Sequence, residues 1–170
     1  MMNKKIIFEF LSSIVMITET SRRQLYGRTN YMKPYLNELR LLFSCGFAED
    51  DILSLNESEA ILKKKAQKRR CLVFECVLPF SKREEAKQIL RTFDFPVNLP
   101  YYLWVEYADT CGLAMISSLE PFNWDFDWDI DSNGIFSFTD IYIKREIVFD
   151  FYEDEDNGQQ VLRIALSALE

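Results

Sequence analysis

Residues 124–131, Trp-Asp-Phe-Asp-Trp-Asp-Ile-Asp, carry a carboxylate at every second position. Strand side chains alternate between two faces. The pattern therefore predicts a strand with Trp124, Phe126, Trp128 and Ile130 turned inward, and with Asp125, Asp127, Asp129 and Asp131 in a column on the outer face. At a rise of roughly 3.3 Å per residue, same-face carboxylates stand about 6.6 Å apart, near the spacing of phosphates along one nucleic-acid strand. Such a column suits a surface that occupies a cationic groove in place of nucleic acid. Carboxylates two apart on a strand also fall within the range that glycosidases use. That chemistry needs surroundings that push the two pKa values apart, which an exposed row of like charges does not provide.

Residues 129–140 fit much of an EF-hand calcium loop, with oxygen-bearing side chains at the first, third and fifth places, Gly134 at the sixth, Ser137 at the ninth and Asp140 at the last. An EF-hand needs flanking helices, whereas these flanks alternate with strand period, and aspartate replaces the usual final glutamate. A tight hairpin is the expectation, with no metal or cofactor site. A second acidic run, Glu153-Asp154-Glu155-Asp156, precedes Asn157-Gly158. Alone it reads as a solubilising hairpin tip; beside the aspartate column it extends an acidic contact surface, with Tyr142 and Tyr152 as candidate anchors. The chain has no histidine, which removes Ser-His-Asp, Cys-His and His-ligated metal chemistry. No catalytic residue is assigned and the chain is not expected to be an enzyme.

The elements that must position these groups read as one α+β domain over residues 1–170, with N-terminal helices packed on a C-terminal twisted antiparallel β-meander. Apolar spacing favours a helix over 3–18, although its β-branched content would also suit a strand. Gly27 is expected to break any helix in the polar segment that follows. Pro34 opens an amphipathic helix carrying Tyr35, Leu36, Leu39, Leu42 and Phe43, which Gly46 can end. Asn56-Glu57-Ser58-Glu59 and Ser81-Lys82-Arg83-Glu84 have the form of capping boxes. The first helix runs into the basic run over 63–70, read as a solvated helix end rather than a nucleic-acid patch. Residues 72–78 read as a buried strand. Strands are then expected over 101–108, 113–119, 124–131, 135–143, 146–153 and 160–167, joined by turns short enough to force antiparallel neighbours. The early helices should cover one sheet face, and the aspartate column belongs on the other.

Face matching sets one register in advance. A two-residue Asn133-Gly134 hairpin would put two phenylalanines on the aspartate face, at roughly 1.5–3 kcal/mol of lost burial for each large side chain. A three-residue loop instead pairs Asp131 with Ile135, Ile130 with Phe136 and Trp128 with Phe138, and requires positive φ at Gly134.

The net charge of −7 is unevenly spread. Residues before 97 hold 17 basic and 12 acidic side chains; from 97 onward there are three basic and 15 acidic. This field favours a basic partner and disfavours direct binding of nucleic acid. Four cysteines without Cys-x-x-Cys spacing read as free thiols of a reducing cytosol. The apolar run over 6–17 contains Glu9, lacks a signal cleavage site and is too short to span a bilayer, so a cytoplasmic protein without a membrane partner is expected.

A small acidic α+β chain without catalytic groups but with a dense carboxylate surface resembles bacterial immunity proteins, including those of contact-dependent growth-inhibition systems. The resemblance lies in overall character and carries no residue across. It implies a protein that neutralises a cognate basic toxin domain, a nuclease being the expected kind, by blocking its active site or a neighbouring surface. The alternative is a generic acidic interaction or regulatory module.

Overall fold

The computed structural model describes residue 22, residues 25–44 and residues 46–170; the 3–18 element and Cys45 lie outside them. Helical backbone over 25–30 leads into α1 (Met32–Leu42). Gly27 does not break this first stretch but lies within it. A Cβ there would overlap the Thr110 carbonyl, so the glycine permits a close backbone approach. α1 turns Tyr35, Leu39 and Leu42 inward and stops before Gly46, with Phe43 already extended at φ −131°.

α2 (Leu55–Ala66) starts two residues earlier than the Asn56 box implied. Ser54 is the cap: its hydroxyl accepts the Glu57 N–H, and the Glu57 carboxylate accepts the Ser54 N–H at 2.9 Å. The overlapping box at Asn56 loses because Leu55 and Ser58 must both be buried. Ser58 then donates to the Ser54 carbonyl and accepts the Leu113 N–H at 2.9 Å, tying α2 to the sheet. β1 (Arg70–Pro79) follows, and it is not the buried strand expected over 72–78: it stands at the sheet edge, where one face is open, and Leu72, Val73 and Val77 are exposed. A 3-10 stretch, Phe80–Glu85, and α3 (Ala86–Thr92) come next. Ser81 caps nothing here; Pro79 precedes the turn, and Ala86 and Leu90 are the residues α3 buries.

The remaining elements are β2 (Tyr101–Trp104), the short α4 (Ala108–Cys111), β3 (Ala114–Ile116), β4 (Ile135–Asp140), β5 (Arg145–Glu153) and β6 (Gln160–Leu169). Among the described residues they form, with β1, a six-stranded sheet in the order β1-β6-β5-β4-β2-β3, each pair antiparallel. The arrangement is α+β, with helices toward the N-terminal side and the antiparallel sheet toward the C-terminal side. Strand period places Phe136, Phe138, Ile147, Phe149, Phe151, Leu162, Ile164 and Leu166 on the face toward α1, all buried. The opposite face carries Trp104, Ser137, Glu146, Val148, Asp150 and Arg163.

Residues 124–131 are not a strand. They turn at 124–125, cross the α1 side of the sheet and end in a 3-10 turn, Trp128–Ile130, with extended backbone at Asp127. Both edges of β4 are already paired, by β2 and β5, so no edge there is left for a further strand. The segment is instead pinned by its rings and by the Asn123 N–H donating to the Leu42 carbonyl at 2.7 Å. Phe122 touches Phe43, Phe138 and Phe149; Phe126 touches Phe136 and Phe151. The aspartates therefore border the covered face and do not stand on the open one. No helix among the described residues is long and apolar enough to cross a membrane.

Candidate functional site

Alternating burial survives without a ladder as far as Asp129. Phe126 is buried, Trp124, Trp128 and Ile130 pack against the core, and Asp125, Asp127 and Asp129 are exposed. Asp125 is engaged by Arg83 in an ion pair, while the same guanidinium lies 4.7 Å from the Phe80 ring centroid. Asp127 and Asp129 make no side-chain ion pair or hydrogen bond among the described residues.

Asp131 departs from the column. It is 3% exposed, its carboxylate accepting the N–H of Asn133 at 2.8 Å and that of Glu106 at 2.9 Å. Burial raises its pKa, and those same N–H bonds pull in the opposite direction. It holds the turn that sends the chain into β4. The expected contacts of Trp128 with Phe138 and of Ile130 with Phe136 are absent as strand pairs, and Trp128 lies against Phe80 and Phe151.

Gly134 does adopt positive φ, at +65°. Its carbonyl accepts the Phe151 N–H at 2.7 Å, and a Cβ would overlap the Phe151 carbonyl oxygen. Gly134→Ala is therefore expected to cost about 3 kcal/mol in urea unfolding, of which about 1–2 is the left-handed penalty. A measured cost near 1 kcal/mol would mean that the β5 carbonyl yields at little expense.

That contact brings two acidic elements to one end of the sheet. Trp128, Asp129, Gly134 and Phe151 line one shallow cleft, and β5 continues directly into Tyr152 and Glu153. Glu153 forms the last pair of the hairpin, opposite Gln160. Beyond it Asp154 staples the tip, its carboxylate accepting the Asp156 N–H at 2.9 Å and its carbonyl the Gly158 N–H at 2.7 Å. Glu155 and Asp156 point outward from that tip, and Tyr152 is half-exposed. Tyr142 is exposed at the far end of the sheet, in the β4–β5 turn, roughly 20 Å away at strand rise. It does not share this surface.

The EF-hand spacing is likewise pulled apart. β4 separates Asp131 from Asp140, which is buried at the other end and accepts the N–H groups of Tyr142 and Lys144. No group of residues suited to a metal ion occurs among the described residues.

Two features escaped the sequence. Glu38 of α1 is 6% exposed, and neither carboxyl oxygen has a hydrogen-bond partner or solvent contact. Burial, followed by the nearby Asp131 and Glu106, pushes its pKa up to about 8. Sealed from solvent, it cannot meet a substrate. The signal was a glutamate on the inward stripe of Tyr35, Leu39 and Leu42.

The second is the open sheet face. Lys65 and Arg70, from the basic run, both reach Glu146, which is 1% exposed; the Arg70 contact, 2.6 Å, is an off-axis ion pair. The basic run is thus in part a structural clamp. Its only sequence signal was a glutamate at the start of a strand. No protein-family model, curated protein or solved structure matches the chain.

Proposed function

We propose that the chain is a cytoplasmic immunity protein that binds and neutralises a basic toxin domain, a nuclease by expectation, through the acidic end of its sheet. The supporting observation is that Asp129 and Phe151 line one cleft, joined by the contact between Gly134 and Phe151, and that β5 runs on from Phe151 to Glu153 and the acidic hairpin tip with the exposed Glu155 and Asp156. Three cations on bordering elements are already engaged: Lys82 by Glu85, Arg83 by Asp125, and Arg163 by Glu75 and Asp150. The acidic end therefore keeps a net negative field, which speeds encounter with a cationic partner and repels nucleic acid. Binding, not turnover, is its function in this reading. A generic acidic regulatory module would use the same surface with a different partner.

The test is the affinity for the protein encoded in the neighbouring reading frame. The double variant Asp127→Lys, Asp129→Lys is expected to lose well over tenfold in affinity, about 1.4 kcal/mol or more. Its melting temperature should stay within about 2 °C, since both side chains are exposed and unpaired. Asp125 is left alone because reversing it would also strand Arg83. Full affinity at physiological salt would place the contact elsewhere.

A further inference from the structure

On the open sheet face, a cleft of about 460 Å³ lies between the end of α2, strands β2, β4 and β5, and the turn after β2. Its wall includes Trp104, which stays 46% exposed because its partner across the ladder is the small Ser137. Ile135 and Val148 supply an apolar side. The two ends differ in charge. At one, Lys65 and Arg70 are fixed on Glu146; at the other, Glu106 and Asp109 bring carboxylates to the rim. Asn133, at that second end, also lines the small cleft beside Asp129, so this cavity opens toward the acidic end described above.

We propose that this cleft is a socket for an arginine side chain of the basic partner, an inference that rests on the partner reading above. The chemistry runs along its length. An apolar stem fits against Ile135 and Val148, and a planar cation fits over the uncovered Trp104 face with a carboxylate in reach. Arginine suits this better than lysine because guanidinium stacks flat and offers a fork to Glu106. Glu106 remains an acceptor, since one oxygen takes only the Ser132 N–H at 3.3 Å. Lys65 and Arg70 line the cleft too and, with Lys68, a second one on Trp104, but both are drawn onto Glu146, so the guanidinium is to enter from the Glu106 side. The acidic end would guide approach, and the socket would hold the bound partner in register.

The probe is N-acetyl-arginine methylamide, titrated into the full chain while the Trp104 indole N–H resonance, assigned with Trp104→Phe, is followed. A saturable shift with a Kd of millimolar order is expected, with Trp124 and Trp128 unmoved. The neutral citrulline analogue should bind at least about tenfold more weakly, and Glu106→Gln should weaken arginine about fivefold while keeping the Ser132 contact. Equal binding of citrulline, indifference to Glu106→Gln, or a shift with inorganic phosphate in place of arginine would overturn the socket. The Asp127→Lys, Asp129→Lys variant separates the two readings, since it should lose the basic protein yet bind arginine amide within about twofold. If the neighbouring protein binds through Asp127 and Asp129 while arginine leaves Trp104 untouched, the socket falls and the partner reading stands. If arginine binds but that protein does not, the partner reading falls and a guanidinium socket remains.

Discussion

Phe122→Ala is expected to lower the unfolding free energy by about 4 kcal/mol, a large share of the 5–15 kcal/mol typical of a domain. Phe122 is 3% exposed and sits where three layers meet. Its ring centroid lies 5.3 Å from that of Phe43 at the end of α1, 4.8 Å from Trp124 in its own segment, and 5.4 Å from Phe138 in β4. Its backbone also bridges to Phe43. Deleting the ring removes its transfer energy and leaves a void that rigid neighbouring rings cannot collapse to fill. The variant should unfold at lower urea concentration with the slope preserved. A cost below about 2 kcal/mol would show that the crossing segment repacks freely. The same variant should weaken partner binding, because Phe122 and Phe126 set where Asp127 and Asp129 are displayed.

The crossing segment also shows what the sequence could and could not disclose. A period of two reports alternate burial, and Trp124 through Asp129 do alternate in burial. Hydrogen-bonded pairing needs a vacant edge as well, and whether β4 had one depended on β2 and β5, far away in the chain. For β2, β4, β5 and β6 the same period was a sound guide because their edges met, whereas the apolar run of β1 suggested a buried strand and gave no sign that it would lie at the sheet edge with Leu72, Val73 and Val77 exposed. Gly134 was legible because left-handed backbone is a local requirement. Asp131 was not, since its carboxylate answers N–H groups at both Asn133 and Glu106, one of them distant. The convergence of Asp129 with the hairpin at Glu153 rests on the equally distant contact from Gly134 to Phe151. Trp104 read as one more residue of a strand; only the pairing with Ser137 reveals that its ring lacks cover.

Glu38→Met is expected to stabilise the protein, and by an amount that grows with pH. The glutamate is buried among groups of its own sign: Asp131 and Glu106 face it from the turn and from the β2–α4 connection, and the Tyr35 hydroxyl, on its own helix, donates to the Gly112 carbonyl. With a folded pKa near 8 against an ordinary 4.5, the folded state holds a proton that the unfolded chain releases between those values. Stability from this site is therefore greatest below about pH 4.5, falls as the pH rises through the window, and is flat above about 8. Methionine has similar length and no polar atom to orphan, so it removes that dependence and fills the same space. At pH 8 the gain should be about 2 kcal/mol, or several degrees in melting temperature, and at pH 5 it should be much smaller. The comparison at two pH values is the decisive part. A gain that is the same at both would mean that Glu38 does not titrate in this window, and a loss at both would mean that its carboxyl has a partner on which the fold depends.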